Sequence, residues 1–204
     1  DIIKHKNVFS FVVLRDPFKR LVSAYSNLFV RPLNWRNIPD SPAHAAVFDR
    51  QLHLGRDLDL SKSISFEEFV HYVAAEPDER LDYHWRPQAS FFGSIDDFDM
   101  VGCVEDLDPL IHALSKRRWK FDGLEPSNVT NYTSSPFLAK LRRFHTMSPQ
   151  ALHRRPAFPS ADHIYTNELR RIVRKRFEED FSLYEDRFGS VGGNPDSLPL
   201  YPTG

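Results

Sequence analysis

The chain of 204 residues holds one cysteine, Cys103, and only eight glycines. A single cysteine excludes an internal disulfide and a thiolate zinc cluster, and it favours a reducing, cytoplasmic setting. No G-x-x-x-x-G-K-[ST] run occurs, so the glycine-rich loop expected of a nucleotide kinase is not in this sequence. No H-x-x-x-H or H-E-x-x-H pair falls on an expected helix, and no metal site is expected. No apolar stretch approaches the ~20 residues that span a bilayer, so no transmembrane segment is expected. No signal-peptide pattern opens the chain. Lys and Arg number 27 against 28 Asp and Glu, a formal net charge of −1. That balance gives no general attraction for nucleic acid or an anionic membrane, so any anion must be recognised locally. The first residue is Asp1 and the first methionine is Met100, so the sequence reads as a fragment or a processed form.

Hydrophobic residues make up 41 %, which suits a soluble globular domain. VFSFVVL at 8–14 is an apolar, β-branched run of strand length. Asp16 then offers an N-cap oxygen and Pro17 sits at the first helical position. Phe18, Leu21, Val22, Tyr25 and Phe29 follow at helical spacing. Residues 31–63 read as a long excursion with a weak helical piece near 45–52. Ser65 and Glu68 form a capping box for a helix that stops at Pro77. FDMVGCV at 98–104 predicts a second strand, and Asp108 with Pro109 opens the next helix. The stretches 82–93, 128–136 and 151–160 read as loops, with a helix near 137–144. One long helix is expected from Thr166 through Phe181. The pattern predicts an α/β fold with a parallel sheet flanked by helices and a helix-rich C-terminal half. Residues 1–188 are expected to form one domain, and 189–204 a loose tail.

In a strand–turn–helix unit, ligands bind at the carboxyl end of the strand. Arg15 ends the strand, and its fork suits a phosphate. The helix N-terminus adds free amides and a positive dipole end. Ser23 lies about 9 Å along the helix from Pro17 at ~1.5 Å per residue, on one face with Asp16, Lys19 and Arg20. Spacing alone equally allows Arg15 as an ordinary salt-bridge partner and Ser23 as a small packing residue.

RDPFKRLVSAY at 15–25 resembles the 3′-phosphate-binding motif of sulfotransferases that use 3′-phosphoadenosine 5′-phosphosulfate (PAPS). The likeness is to the family 2, carbohydrate-type group, which includes the chondroitin and dermatan sulfotransferases. HWRPQ at 84–88, FDMVGCVEDL at 98–107 and LRRIVRKRFEEDFSLYE at 169–185 agree in order, so the resemblance spans residues 8–188. It implies a P-loop-like sulfotransferase fold, PAPS as co-substrate with adenosine 3′,5′-bisphosphate as product, and a carbohydrate or glycolipid acceptor. It also implies that Arg15 and Ser23 hold the 3′-phosphate, with Lys19, Asn131 and Ser134 as further nucleotide contacts. The family's second phosphate loop, which holds the 5′-phosphosulfate, has no counterpart in this sequence. The relatives work in the Golgi lumen, which would apply to this chain as part of a longer, anchored protein.

Sulfuryl transfer to a hydroxyl calls for a base, and histidine is the usual candidate. Of nine histidines, His84 stands out because Trp85, Arg86 and Gln88 surround it. It is either that base or a structural imidazole. Trp85 is expected to pack on a sugar face, with Arg86 and Gln88 hydrogen-bonding to the acceptor. Glu105, just past the second strand, is either a substrate contact or an ordinary helix-start acid. A non-catalytic glycan- or nucleotide-binding module is the competing reading.

Overall fold

In the computed structural model of the chain, the described residues are 8–31, 41–57, 59, 63–117, 119, 132–133 and 143–191. In chain order they form β1 (Phe11–Leu14), α1 (Pro17–Tyr25), a π-helical segment (Ser26–Val30), α2 (Pro42–His53) and α3 (Phe66–Ala75). Next come a 3-10 turn (Gln88–Phe91), β2 (Met100–Cys103), α4 (Asp108–Ser115), β3 (Tyr132–Thr133) and α5 (Pro149–His153). The last are β4 (Phe158–Pro159), α6 (Ala161–Ile164), α7 (Asn167–Arg176) and α8 (Glu178–Phe188). The architecture is mixed α/β with small parallel sheets. The chain divides into two compact units: residues 1–17, 87–129 and 178–191 make the first, and 18–86, 130–177 and 192–204 the second.

In the first unit, the two β-branched runs pair in parallel, from Phe11 opposite Met100 to Leu14 opposite Cys103. Both strands are shorter than the apolar runs that announce them. Ahead of the ladder, Ser10 donates its amide and its hydroxyl to the Asp99 carboxylate, at 2.8 and 3.1 Å. Gly102 lets α4 close on β2, because a Cβ there would stand 3.1 Å from Leu110 Cδ2. Pro109 sits at the start of α4, where a missing N–H costs nothing.

The second unit is built round aromatic rings. Tyr25 stacks on Phe29 at 5.3 Å, and both meet Phe69, at 5.5 and 5.2 Å. Phe66 meets Tyr25 and Tyr165 edge-on. The Tyr25 hydroxyl donates to the Ile64 carbonyl at 2.9 Å, so the buried ring keeps a hydrogen bond. The capping box of α3 is formed as expected, with Ser65 and Glu68 satisfying each other's amides. At the other end of α3, Arg176 donates to the Val73 and Glu76 carbonyls, which the helix itself leaves open.

Several expectations change. The weak piece at 45–52 is a full helix, α2, with Ser41 as its N-cap residue and Pro42 at its start. The loops at 128–136 and 151–160 contribute β3 and β4, which pair in parallel. The single helix through Phe181 is two, because Phe177 (φ −113°, ψ 30°) leaves helical geometry. Of the helix expected near 137–144, Phe144–Thr146 is a 3-10 turn and the rest lies outside the described residues. The tail beyond Val191 also lies outside them.

Burial pushes the Glu68 carboxyl up, but hydrogen bonds from the Ser65 backbone, the Arg56 guanidinium and the Ser65 hydroxyl outweigh it, so it titrates below its ordinary 4.5. A carboxyl depressed in the folded state adds stability above its unfolded pKa and loses it as pH falls through the folded value. Glu68→Gln is therefore expected to be less stable than the wild type at pH 7 and to show a flatter loss of stability below its ordinary 4.5. Denaturation midpoints measured across pH 3–7 check this; identical acid limbs in both proteins would contradict it.

Candidate active site

Arg15 leaves β1 with its peptide held on both sides by one side chain. Its N–H donates to Gln88 Oε1 and its carbonyl accepts from Gln88 Nε2, both at 2.9 Å. Gln88 is itself fixed, since its N–H and that of Ala89 donate to the two carboxylate oxygens of Asp180, each at 2.8 Å. Asp180, on α8, is 1 % exposed. Glu105 Oε2 accepts from the Tyr184 hydroxyl at 3.1 Å and from the Asp16 N–H at 3.4 Å. Burial first, then the Glu105 charge and hydrogen bond, push the Tyr184 hydroxyl above its ordinary pKa, so it remains a donor. The Arg15 side chain ends differently from its peptide: its Nε is buried and has no hydrogen-bond partner. A buried donor left unpaired costs about 1–3 kcal/mol. An anionic oxygen would supply the acceptor, so the residue fits the phosphate the resemblance implies.

In the second unit, Ser23 lies on α1 with its side chain nearly buried. Asn27, one turn on, brings Nδ2 to 3.5 Å from Ser23 Oγ, while its own Oδ1 is buried without a partner. The helix then widens into the π-helical segment, where the Arg31 N–H donates to the Ser26 carbonyl at 2.9 Å. Such segments recur at functional sites. Lys19 is exposed on α1. Asn131 and Ser134 lie outside the described residues.

His84 sits in a closed turn. The Trp85 and Arg86 amides donate to the Asp82 carbonyl, at 3.1 and 2.9 Å. The Asp82 carboxylate accepts from the His84 amide at 2.9 Å and contacts His84 Nδ1 at 2.5 Å. A carboxylate can only accept, so Nδ1 carries the proton and Nε2 keeps its lone pair. The His84 side chain is 35 % exposed. The Tyr83 ring lies over it at 4.0 Å, tilted by 30°. Sequence reasoning missed Asp82, although an aspartate two residues before a histidine is a local hydrogen-bonding signal. It also missed Asp180, for which no local signal exists.

The acceptor-side residues need correction. Trp85 is 1 % exposed, against Phe29 at 6.0 Å and Phe69 at 5.3 Å, so it is a core ring and offers no open face to a sugar. Arg86 closes its own turn by donating Nε and Nη2 to the Leu81 carbonyl, at 3.1 and 2.8 Å. Gln88 is buried with both ends of its amide on the Arg15 peptide, which makes it a support rather than an acceptor contact. Glu105 is exposed and braces the turn after β1.

A family model described as "Sulfotransferase family" matches residues 2–186. The chain belongs to the sulfotransferase family. This sulfotransferase is similar to carbohydrate sulfotransferase 14 of Danio rerio, 29 % identical over 112 residues, which cover 52 % of this chain and 29 % of the relative. It matches carbohydrate sulfotransferase 14 of Homo sapiens at 25 % identity over 72 % of this chain and 36 % of the relative. It matches carbohydrate sulfotransferase 10 of Danio rerio at 30 % identity over 49 % of this chain and 30 % of the relative. The matched part thus spans about a third of the length of these curated relatives. No solved structure matches significantly.

Asp180→Ala would leave two buried amides without their acceptor. It is expected to cost about 2–4 kcal/mol in urea denaturation, at ~1–3 kcal/mol per unsatisfied buried group. A loss under about 1 kcal/mol would show that the carboxylate does not hold the Gln88 turn.

Proposed function

We propose that this sulfotransferase moves a sulfuryl group from PAPS to a hydroxyl of a carbohydrate or glycolipid acceptor. The observation that carries the donor half is Arg15, a residue with a clamped peptide and a buried Nε in want of an acceptor. With the motif it begins, Arg15 is assigned to the 3′-phosphate together with Ser23. Ser23 supplies a hydroxyl donor, and its oxygen lies beside the Asn27 amide. No residue of the chain is assigned to the 5′-phosphosulfate.

His84 is proposed as the base, with Asp82 fixing its tautomer. Nε2 takes the proton of the acceptor hydroxyl as the new O–S bond forms. The S–O bond to the phosphate breaks, and adenosine 3′,5′-bisphosphate leaves with that electron pair. The Asp82 carboxylate then faces an imidazolium, a charge-assisted pair stronger than the neutral one. The carbohydrate acceptor follows the relatives' names, and the exposed Tyr83 beside His84 is an aromatic surface such an acceptor could meet.

Titration of adenosine 3′,5′-bisphosphate against 5′-AMP tests the donor half. The bisphosphate is expected to bind about 10–100-fold tighter, the worth of one charge-assisted contact of ~1.5–3 kcal/mol, and Arg15→Ala should erase that margin. Equal binding of the two nucleotides by the wild type would overturn it. For the acceptor half, His84→Gln is expected to lower kcat by about 10²–10⁴ with bisphosphate affinity unchanged. Unchanged turnover would remove His84 as the base.

A further inference from the structure

Arg20 lies within the phosphate motif and is basic, so spacing alone groups it with Lys19 and Ser23 as a nucleotide contact. Its side chain is engaged elsewhere. Nη1 donates to the Arg86 carbonyl at 2.7 Å and Nη2 to the Tyr83 carbonyl at 2.8 Å. These two carbonyls bracket His84 and Trp85. All of these residues belong to the second unit. Trp85 is anchored in the aromatic core, and Arg86 ties the turn back to Leu81. Asp82 holds both the amide and Nδ1 of His84. What remains is to place this closed turn against α1, and the planar guanidinium does so by spanning two carbonyls at once. Ser23 follows Arg20 by one helical turn, on the same helix.

We infer that Arg20 is a positioning residue for sulfuryl transfer: it ties the helix that carries Ser23 to the turn that carries His84, and it does not hold the nucleotide. The inference rests on the reading of His84 as the base. Both terminal nitrogens are committed to backbone carbonyls, so the bidentate grip that makes arginine a phosphate ligand is already spent. A catalytic group displaced by an ångström loses rate far more than affinity, so the signature of Arg20 is a fall in kcat with binding intact.

The test uses the full-length protein, PAPS as donor and a chondroitin polymer as the acceptor probe. Arg20→Ala is expected to lower kcat by about 10–100-fold, the scale of an ångström of misplacement, with the donor KM unchanged. Bisphosphate affinity should stay within about twofold, under half a kcal/mol. Hydrogen exchange at the amides of residues 83–86 should speed up by at least about tenfold as the turn opens locally. Arg20→Ala with His84→Gln should be no slower than His84→Gln alone, since the two changes damage one function. Arg20→Lys keeps the charge but cannot fork across both carbonyls, so it should recover only part of kcat, and it serves if the alanine variant fails to fold. Bisphosphate binding weakened tenfold or more would make Arg20 a nucleotide ligand and overturn the inference. So would unchanged exchange at 83–86 together with unchanged kcat. If His84→Gln alone leaves turnover intact, the base reading fails, and accelerated exchange in Arg20→Ala would then show a clamp with no catalytic group to position.

Discussion

The Asp180 carboxylate is the fixed point of the first unit. A carboxylate withdrawn from water must find donors, and two consecutive amides at Gln88 and Ala89 meet it squarely. Those bonds orient the Gln88 side chain, whose amide then reads both edges of the Arg15 peptide as a neighbouring strand would. Rigidity passes from a buried charge to a backbone position, and from there to the root of the guanidinium. The strand delivers Arg15 to the edge of the sheet; the polar relay decides how it stands there.

The second unit reaches a similar end by apolar means. Trp85 sinks among Phe29 and Phe69, and its neighbour His84 is lifted to the surface by the same turn. A core anchor next to a polar group removes most of the freedom that the group would otherwise lose on meeting its substrate. Arg86, Arg20 and Asp82 each satisfy a backbone or ring atom of that turn, so a segment without regular structure is nonetheless well determined.

The legible parts of the sequence were those whose cause is local. The β-branched run before Arg15, Pro17 at the first helical position and the apolar spacing of α1 name a strand, a turn and a helix within twenty residues. The Ser65–Glu68 box announces its helix in four. The motif that suggested a phosphate was legible for the same reason. Asp180 was not, because its partners lie 92 and 91 residues away and nothing nearby needs a carboxylate. Nor could a loop with no periodicity reveal which of two adjacent aromatics is buried: Tyr83 is 63 % exposed and Trp85 is core. β3 and β4 are two residues each, too short for alternation to register. The apolar spacing of 169–181 ran on through Phe177 because both helices bury the same kinds of residue, and the break lies in backbone torsions that no spacing records.

The π-helical segment sets a constraint of another kind. It is an α-helix that accommodates one residue more than its turn requires. Phe29 and Val30 are buried at its far end. Removing any one residue between 26 and 30 would restore an ordinary turn and rotate everything beyond it by about 100°. The side chains now inside would then face out. Residue identity along this stretch is open to drift wherever it meets solvent, but its length is not. Across related chains, insertions and deletions should gather in the excursion that follows and spare these five positions.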